Sequence, residues 1–282
     1  MEVSNVNRTL MLLVLIAGCC APFAAAQDGW DLSVGAGVAQ TPVYEGSESY
    51  FMSPFPSVDV SYTTGGLSIS ASILDGLGVS YMHEGRGILG SVSVSPGTER
   101  DSEGYSFLAT QVDHDRRTLE LLEDTPTVRS VVAADATLGV LTPVGVVGTT
   151  IGYRPSVVEY DGGGDADATY QAFVGSLFYM IGMPVTERLS VMAVLSLELM
   201  DADYADAWFT VEEPTASLDT FEAEAGLRDA QLALEASYMF ADHFGLSLTA
   251  GEMVMLGDAA ESPYTRGQFQ TVAMLEAFYS LR

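Results

Sequence analysis

Residues 231–281 decide the fold: Gln231-Leu-Ala-Leu-Glu-Ala-Ser-Tyr-Met-Phe240, then Phe244-Gly-Leu-Ser-Leu-Thr-Ala-Gly-Glu-Met-Val-Met-Leu256, then Gln268–Leu281. In the first, Leu232, Leu234, Ala236, Tyr238 and Phe240 fall on one face of a strand, and Ala233, Glu235, Ser237 and Met239 on the other. In the second, Phe244, Leu246, Leu248 and Ala250 oppose Gly245, Ser247 and Thr249. In the third, Ala273, Leu275, Ala277, Tyr279 and Leu281 oppose Gln270, Met274, Glu276 and Ser280. Side chains on a strand alternate between faces, so this period of two gives one apolar and one mixed face. Strands of about 9–11 residues, apolar outside and polar inside, are what a transmembrane β-barrel requires. A soluble sandwich also alternates, but with shorter strands and its apolar face turned inward.

Working back from this stretch, strands are predicted near 30–40, 54–62, 66–73, 76–83, 87–95, 129–141, 146–158, 168–183, 188–200, 228–240, 244–256 and 268–281. The connections between them alternate in length. The long ones are 41–53, 96–128, 159–167, 201–227 and 257–267, with Leu74–Asp75 the short exception in that series. The short ones are Thr63–Gly65, Glu84–Arg86, Thr142–Gly145, Pro184–Glu187 and Ala241–His243. Outer-membrane barrels have short periplasmic turns and long outer loops, with both termini inside. The fold class is therefore an all-β, antiparallel transmembrane barrel of about twelve strands, with ten as the alternative. Fusing 66–83 into one strand would invert the later loops. A short helix is expected over Asp113–Glu123.

The N-terminus indicates export. Leu10–Gly18 is an apolar run preceded by Arg8 and followed by Ala24-Ala-Ala26. That pattern predicts a signal peptide over residues 1–26, a mature start at Gln27 and a barrel over 27–282. Ile16-Ala-Gly-Cys19 also has the form of a lipoprotein box, in which Cys19 would be lipidated instead. The two alternatives both place the protein outside the cytoplasm, in a Gram-negative outer membrane.

Composition narrows the function classes. The only two cysteines, Cys19 and Cys20, lie in the leader, so a mature chain from Gln27 has no disulfide or thiolate metal site. The net charge is −27 and every basic residue is Arg. Such a chain has no basic patch to replace phosphate counterions, which excludes nucleic acid as a partner.

Residues Trp30–Tyr50, and within them Gly35-Ala-Gly-Val-Ala-Gln-Thr-Pro-Val-Tyr-Glu-Gly-Ser-Glu-Ser-Tyr50, resemble the opening of the MltA-interacting protein (MipA/OmpV) family. Tyr44, Glu45, Gly46, Ser47 and Tyr50 carry the match. It continues through Ser53-Pro-Phe-Pro56 and Asp75-Gly-Leu-Gly-Val79, which holds Asp75, Gly76 and Gly78. Near the end Glu261-Ser262-Pro263 stands where the family has an acidic-Ser-Pro element. The chain departs from the usual aromatic last residue by ending Phe278-Tyr-Ser-Leu-Arg282. The resemblance implies an outer-membrane barrel without catalytic residues. It also implies a scaffold role in which a lytic transglycosylase and a peptidoglycan synthase are the partners. Other members are described as porin-like or adhesive.

The residues by themselves offer no catalytic constellation. There is no G-x-S-x-G or H-E-x-x-H. His83 and His243 fall at periplasmic turns and His114 in an outer loop, and no strand pairs a His with a Ser as a nucleophile–base pair requires. The Asp161–Asp167 loop has hard oxygen ligands but not the spacing of a Ca²⁺ loop. No cofactor is expected. Met192, Glu198, Glu235, Met239, Met274 and Glu276 are predicted to point inward. Glu198, Glu235 and Glu276 would make a lumen that favours cations. Two functions follow: a non-enzymatic scaffold for cell-wall machinery, embedded among outer-membrane lipids, or a narrow, cation-preferring channel.

Overall fold

The computed structural model describes residues 28–97, 99–100, 110–112, 121, 125–130, 132–159, 168–215 and 217–281. The leader with Cys19, His114, the Asp161–Asp167 loop and all of the expected Asp113–Glu123 helix except Leu121 lie outside the described residues.

Twelve antiparallel strands form the wall: β1 Gly29–Pro42, β2 Tyr50–Thr64, β3 Leu67–Ser72, β4 Gly76–His83, β5 Ile88–Pro96, β6 Val132–Thr142, β7 Gly145–Glu159, β8 Ala168–Pro184, β9 Leu189–Met200, β10 Gly226–Met239, β11 Phe244–Met255 and β12 Phe269–Leu281. Each pairs with the next, and β12 closes on β1 through Leu32↔Leu281 to Gln40↔Ala273. Closure leaves no free edge along most of the wall, so almost every backbone group is paired without water.

The alternation of the sequence becomes the two sides of this wall. Leu232, Leu234 and Tyr238 of β10, Leu246 and Leu248 of β11 and Leu275 of β12 are exposed on the outside. Glu235, Met239, Met192, Met274 and Glu276 take the inward phase. Aromatic side chains mark both rims of the apolar band. At the turn end Trp30 packs on Tyr62 with centroids 5.0 Å apart, and Phe244 packs on Tyr279 at 4.8 Å. At the loop end Tyr153 packs on Phe173 at 5.1 Å. Phe269 and Tyr279 lie ten residues apart on β12. That is about 33 Å of strand, or about 25 Å after a tilt of about 40°, the height of a membrane barrel's apolar band.

The loop parity is as the sequence predicts. Short turns at 65–66, 84–87, 143–144, 185–188 and 240–243 occupy one end. Gly65 and Gly66 both have positive φ (55° and 84°), the backbone a two-residue hairpin needs to follow the strand twist. Two boundaries differ by more than two residues from expectation. β2 starts at Tyr50 rather than near 54, with Pro54 and Pro56 inside the strand and Tyr50–Met52 paired with Thr110–Val112. The predicted strand 129–141 is divided, with Thr127–Ser130 pairing the upper part of β7 and β6 beginning at Val132.

Inside the wall, glycines make room for large inward groups. A Cβ on Gly37 would lie 2.5 Å from Phe55 Cζ, and one on Gly35 would lie 2.5 Å from Glu276 Oε1 and 2.6 Å from Ser57 Oγ. Across this glycine trough in β1, Ser57 of β2 donates a hydrogen bond to Glu276 of β12.

Candidate functional site

The described long loops, 43–49, 201–225 and 256–268, fold into the barrel's outer mouth and build a core there. Asp201 ends β9 and caps helix α1, Ala202–Phe209, by accepting from Tyr204 N at 2.8 Å. Its other oxygen accepts from Phe173 N at 3.0 Å, while Asp203 accepts from Gln171 N at 3.0 Å. The two carboxylates thus fasten the helix to the upper part of β8, on the edge beyond its last pair with β9, Val174↔Met200. Tyr204, Ala205, Ala207, Trp208 and Phe209 are buried against Val128, Val158, Val174, Met253 and Met255 of the wall. A second apolar cluster joins Tyr44, Leu121, Val211, Leu218 and Tyr264 from four different loops.

The resembling motifs meet at this mouth. Tyr44 is buried, and Gly46 has φ 98° with Thr265 Oγ1 2.7 Å from where its Cβ would be. Its carbonyl accepts from Arg266 N at 2.8 Å and Gly267 N at 2.9 Å. Ser47 Oγ donates to Ser49 O and accepts from Ser49 N, closing a tight turn. Gln270 Nε2 donates to the carbonyls of Tyr44 (3.4 Å) and Ser47 (3.3 Å), and Tyr50 Oη accepts from Thr271 N at 3.2 Å. Ser262 Oγ donates to Phe209 O at 2.7 Å, so the Ser262-Pro263 element ties the last outer loop, with its helix α2 (Gly257–Glu261), to α1. Asp75, Gly76 and Gly78 lie apart from this mouth, at the β3–β4 connection. Glu235 and Glu276 lie lower in the barrel.

Arg228 is the centre of the mouth, and it is only 1% exposed. It donates from Nε to Asp229 Oδ2 at 2.6 Å, from Nη2 to Glu198 Oε2, and from Nη1 to Tyr204 Oη at 3.0 Å. Glu45 Oε1 lies 3.2 Å from Arg228 Nε, and Glu45 Oε2 accepts from Tyr204 Oη at 3.2 Å. One guanidinium therefore gathers three carboxylates from the first loop, β9 and β10. Burial pushes the Glu45 carboxyl above its ordinary range, against the pull of Arg228. Glu198 faces inward as expected, but its charge is matched by Arg228 rather than offered to an open lumen.

A β-bulge creates the centre. β9 and β10 pair Glu198↔Asp229 and then Leu199↔Leu227, so Arg228 is the extra residue. Without it, Arg228 and Asp229 would face opposite sides. With it, both turn inward and both are buried. A strict period of two cannot anticipate this, and neither Arg228 nor Tyr204 stood out in the sequence. The available signal was an Arg within a predicted strand of a chain that has no Lys. A second case of the same signal is Arg154 of β7, which pairs with Asp135 of β6 at 2.8 Å, both buried. Arg100 completes the mouth by donating to Trp208 O at 2.6 Å and stacking over the Tyr264 ring at 4.2 Å. His83 and His243 sit at the opposite, turn end, where His243 Nδ1 meets Ser280 O at 2.9 Å.

An outward apolar band, two aromatic rims and a mouth packed with its own loops define an outer-membrane β-barrel. The model of the MltA-interacting protein MipA family matches residues 34–281, nearly the whole chain, and the protein belongs to that family. No curated protein matches the sequence. Among solved structures the chain is similar to the translocator domain of the autotransporter NalP from Neisseria meningitidis, at 11% identity and TM-score 0.46, covering 96% of this chain and 95% of that one. It is also similar to the CymD monoaromatic hydrocarbon channel, at 10% identity and TM-score 0.41, covering 99% and 94%. A further likeness is to the outer-membrane protein OmpT of Vibrio cholerae, at 9% identity and TM-score 0.33, covering 91% and 99%.

Proposed function

We propose that the protein is a non-enzymatic scaffold that holds peptidoglycan-processing enzymes at the inner face of the outer membrane. The observation that carries this reading is the packed mouth. Helix α1 and four loops fill the outer end with two apolar clusters and an arginine bound to three carboxylates. A barrel built for flow along its axis has no use for such a core. The family description, an MltA-interacting protein, supports a partner in murein turnover.

The surface left for a partner is the turn end. Arg86 and Arg188 are exposed there, in a chain that is otherwise strongly acidic. Outer-membrane lipids would cover the outward band. The test is co-purification of the full-length barrel with a lytic transglycosylase and a peptidoglycan synthase. Retention of both, reduced by Arg86→Glu combined with Arg188→Glu, is the expected result. A folded wild-type barrel that retains neither enzyme would overturn the scaffold reading.

A further inference from the structure

The barrel is filled unevenly along its axis. On β2 the inward Ser53, Phe55 and Ser57 are buried, whereas Asp59, Ser61 and Thr63, nearer the turns, are partly exposed. The same change occurs on β10 between Gln231 and Glu235, and on β12 between Val272 and Met274. Contacts across strands put these residues on the inner face: Ser57 donates to Glu276, and Thr63 Oγ1 donates to Ser68 Oγ at 3.1 Å. Side chains that point away from lipid and are still accessible border a hollow. It begins below the packed mouth and reaches the turn end, where Gly182 is exposed and a Cβ would meet nothing nearer than 3.9 Å. From Asp59 to Thr64 the strand rises about 17 Å, which is about 13 Å of depth after a tilt of about 40°.

Two unlike walls face each other across this hollow. From β2 to β5 the inner face carries hydroxyls: Ser61, Ser68, Ser70, Ser80, Ser91 and Ser93, of which Ser70 is exposed and the others partly so. Such a face both donates and accepts hydrogen bonds and carries no charge. From β8 to β12 the inner face carries Phe178, Met192, Met274 and Phe278, with Glu235 and Glu276 among them. Cζ and Cε1 of Phe178 occupy the space that a Cβ on Gly148 would take, and the same atoms of Phe278 occupy that space at Gly245. Each ring therefore lies along the wall rather than across the bore, and each is partly exposed. Glu235 accepts from Ser237 Oγ at 3.3 Å, and Glu276 accepts from Ser57 Oγ. Both carboxylates are thus held in place with acceptor capacity to spare.

We propose that this hollow binds the end of an uncharged glycan chain entering from the turn end. A pyranose ring has apolar faces of C–H groups and a rim of hydroxyls. The faces lie on Phe178 and Phe278, while the rim donates to Glu235 and Glu276 and exchanges hydrogen bonds with the serine wall. No base stands among the described inward residues of this half, so the carboxylates repel an anionic chain. A cation would use the carboxylates alone and leave the serine wall and both rings unused. The site goes beyond the scaffold reading and does not rest on it, and retention of cell-wall enzymes tests that reading separately.

The test is calorimetric titration of the full-length barrel in lipid nanodiscs. Chitotriose and maltotriose are the uncharged probes, trigalacturonate the anionic one and spermidine the cationic one. At least one uncharged trisaccharide should bind, with trigalacturonate at least roughly tenfold weaker. Ser70→Trp puts a bulky ring into the hollow and should weaken binding roughly tenfold or more. Ile69→Trp changes the neighbouring residue on the lipid face and should leave binding unchanged. Phe178→Ala removes one stacking surface and should weaken binding several-fold. Each variant is first shown to keep its heat-modifiable gel mobility. If Ser70→Trp does not fold, Phe178→Ala and the four probes on the wild type decide. Failure of both uncharged trisaccharides to bind, equal losses in Ser70→Trp and Ile69→Trp, or spermidine binding tighter than either trisaccharide would overturn the proposal.

Discussion

Leu234→Arg is expected to block insertion of the barrel, while Glu235→Arg is tolerated. Leu234 lies mid-strand in β10, paired between Ala193 and Ala250, and is 49% exposed on the lipid side. An arginine near the middle of a barrel's outer face costs roughly 2–4 kcal/mol, a large share of a domain's net stability. Glu235 points inward, hydrogen-bonds to the Ser237 and Ser247 hydroxyls and acts on the Glu276 carboxylate. An arginine there gains an acidic partner instead of meeting lipid. Refolding into vesicles, followed by the heat-modifiable gel shift, measures both. Equal losses for the two variants would mean that the faces of β10 are assigned the wrong way round.

Arg228→Ala is expected to have the second large effect. Removing the guanidinium leaves Glu45, Glu198 and Asp229 buried together without a counter-charge. Breaking one side of a buried ion pair costs about 3–5 kcal/mol. Because Arg228 links β10 and β9 to the first loop and, through Tyr204, to α1, the loss should fall on the mouth before the wall. Protease cutting within 202–224 should rise steeply while the lower barrel stays protected. Adding Glu45→Gln, Glu198→Gln and Asp229→Asn to Arg228→Met should recover much of the protection, since no unmatched charge remains. Unchanged cutting in Arg228→Ala would show that the apolar clusters alone hold the mouth.

The wall was legible in the sequence because its physics is local. A lipid-facing strand must alternate, and Leu246, Leu248 and Ala250 against Ser247 and Thr249 state that rule without reference to any other segment. Loop parity supplied the topology, including the short Leu74–Asp75 connection that makes the count twelve, which spans 73–75 in the structure. The mouth was legible only in part. Tyr44, Gly46, Ser47 and Ser262 stood out through their resemblance to a family, but what they touch was not visible. Arg228 meets Glu45 across more than half the chain, and a bulge turns Arg228 and Asp229 to the same side against the alternation rule. Glu198 was placed correctly on the inner face, yet its partner was not, because pairing depends on register that a single strand does not encode. The glycine trough at Gly35 and Gly37 was hidden for a similar reason: the groups that fill it come from β2 and β12.

The account's central claim is a membrane barrel whose axial path is closed at the outer mouth by its own loops. Planar-bilayer recording on the purified wild-type protein tests it most directly. The structure predicts no large, stable conductance, with openings appearing in Arg228→Ala as the mouth loosens. Large, stable, ion-selective openings in the wild type would contradict it and put a channel in place of the scaffold.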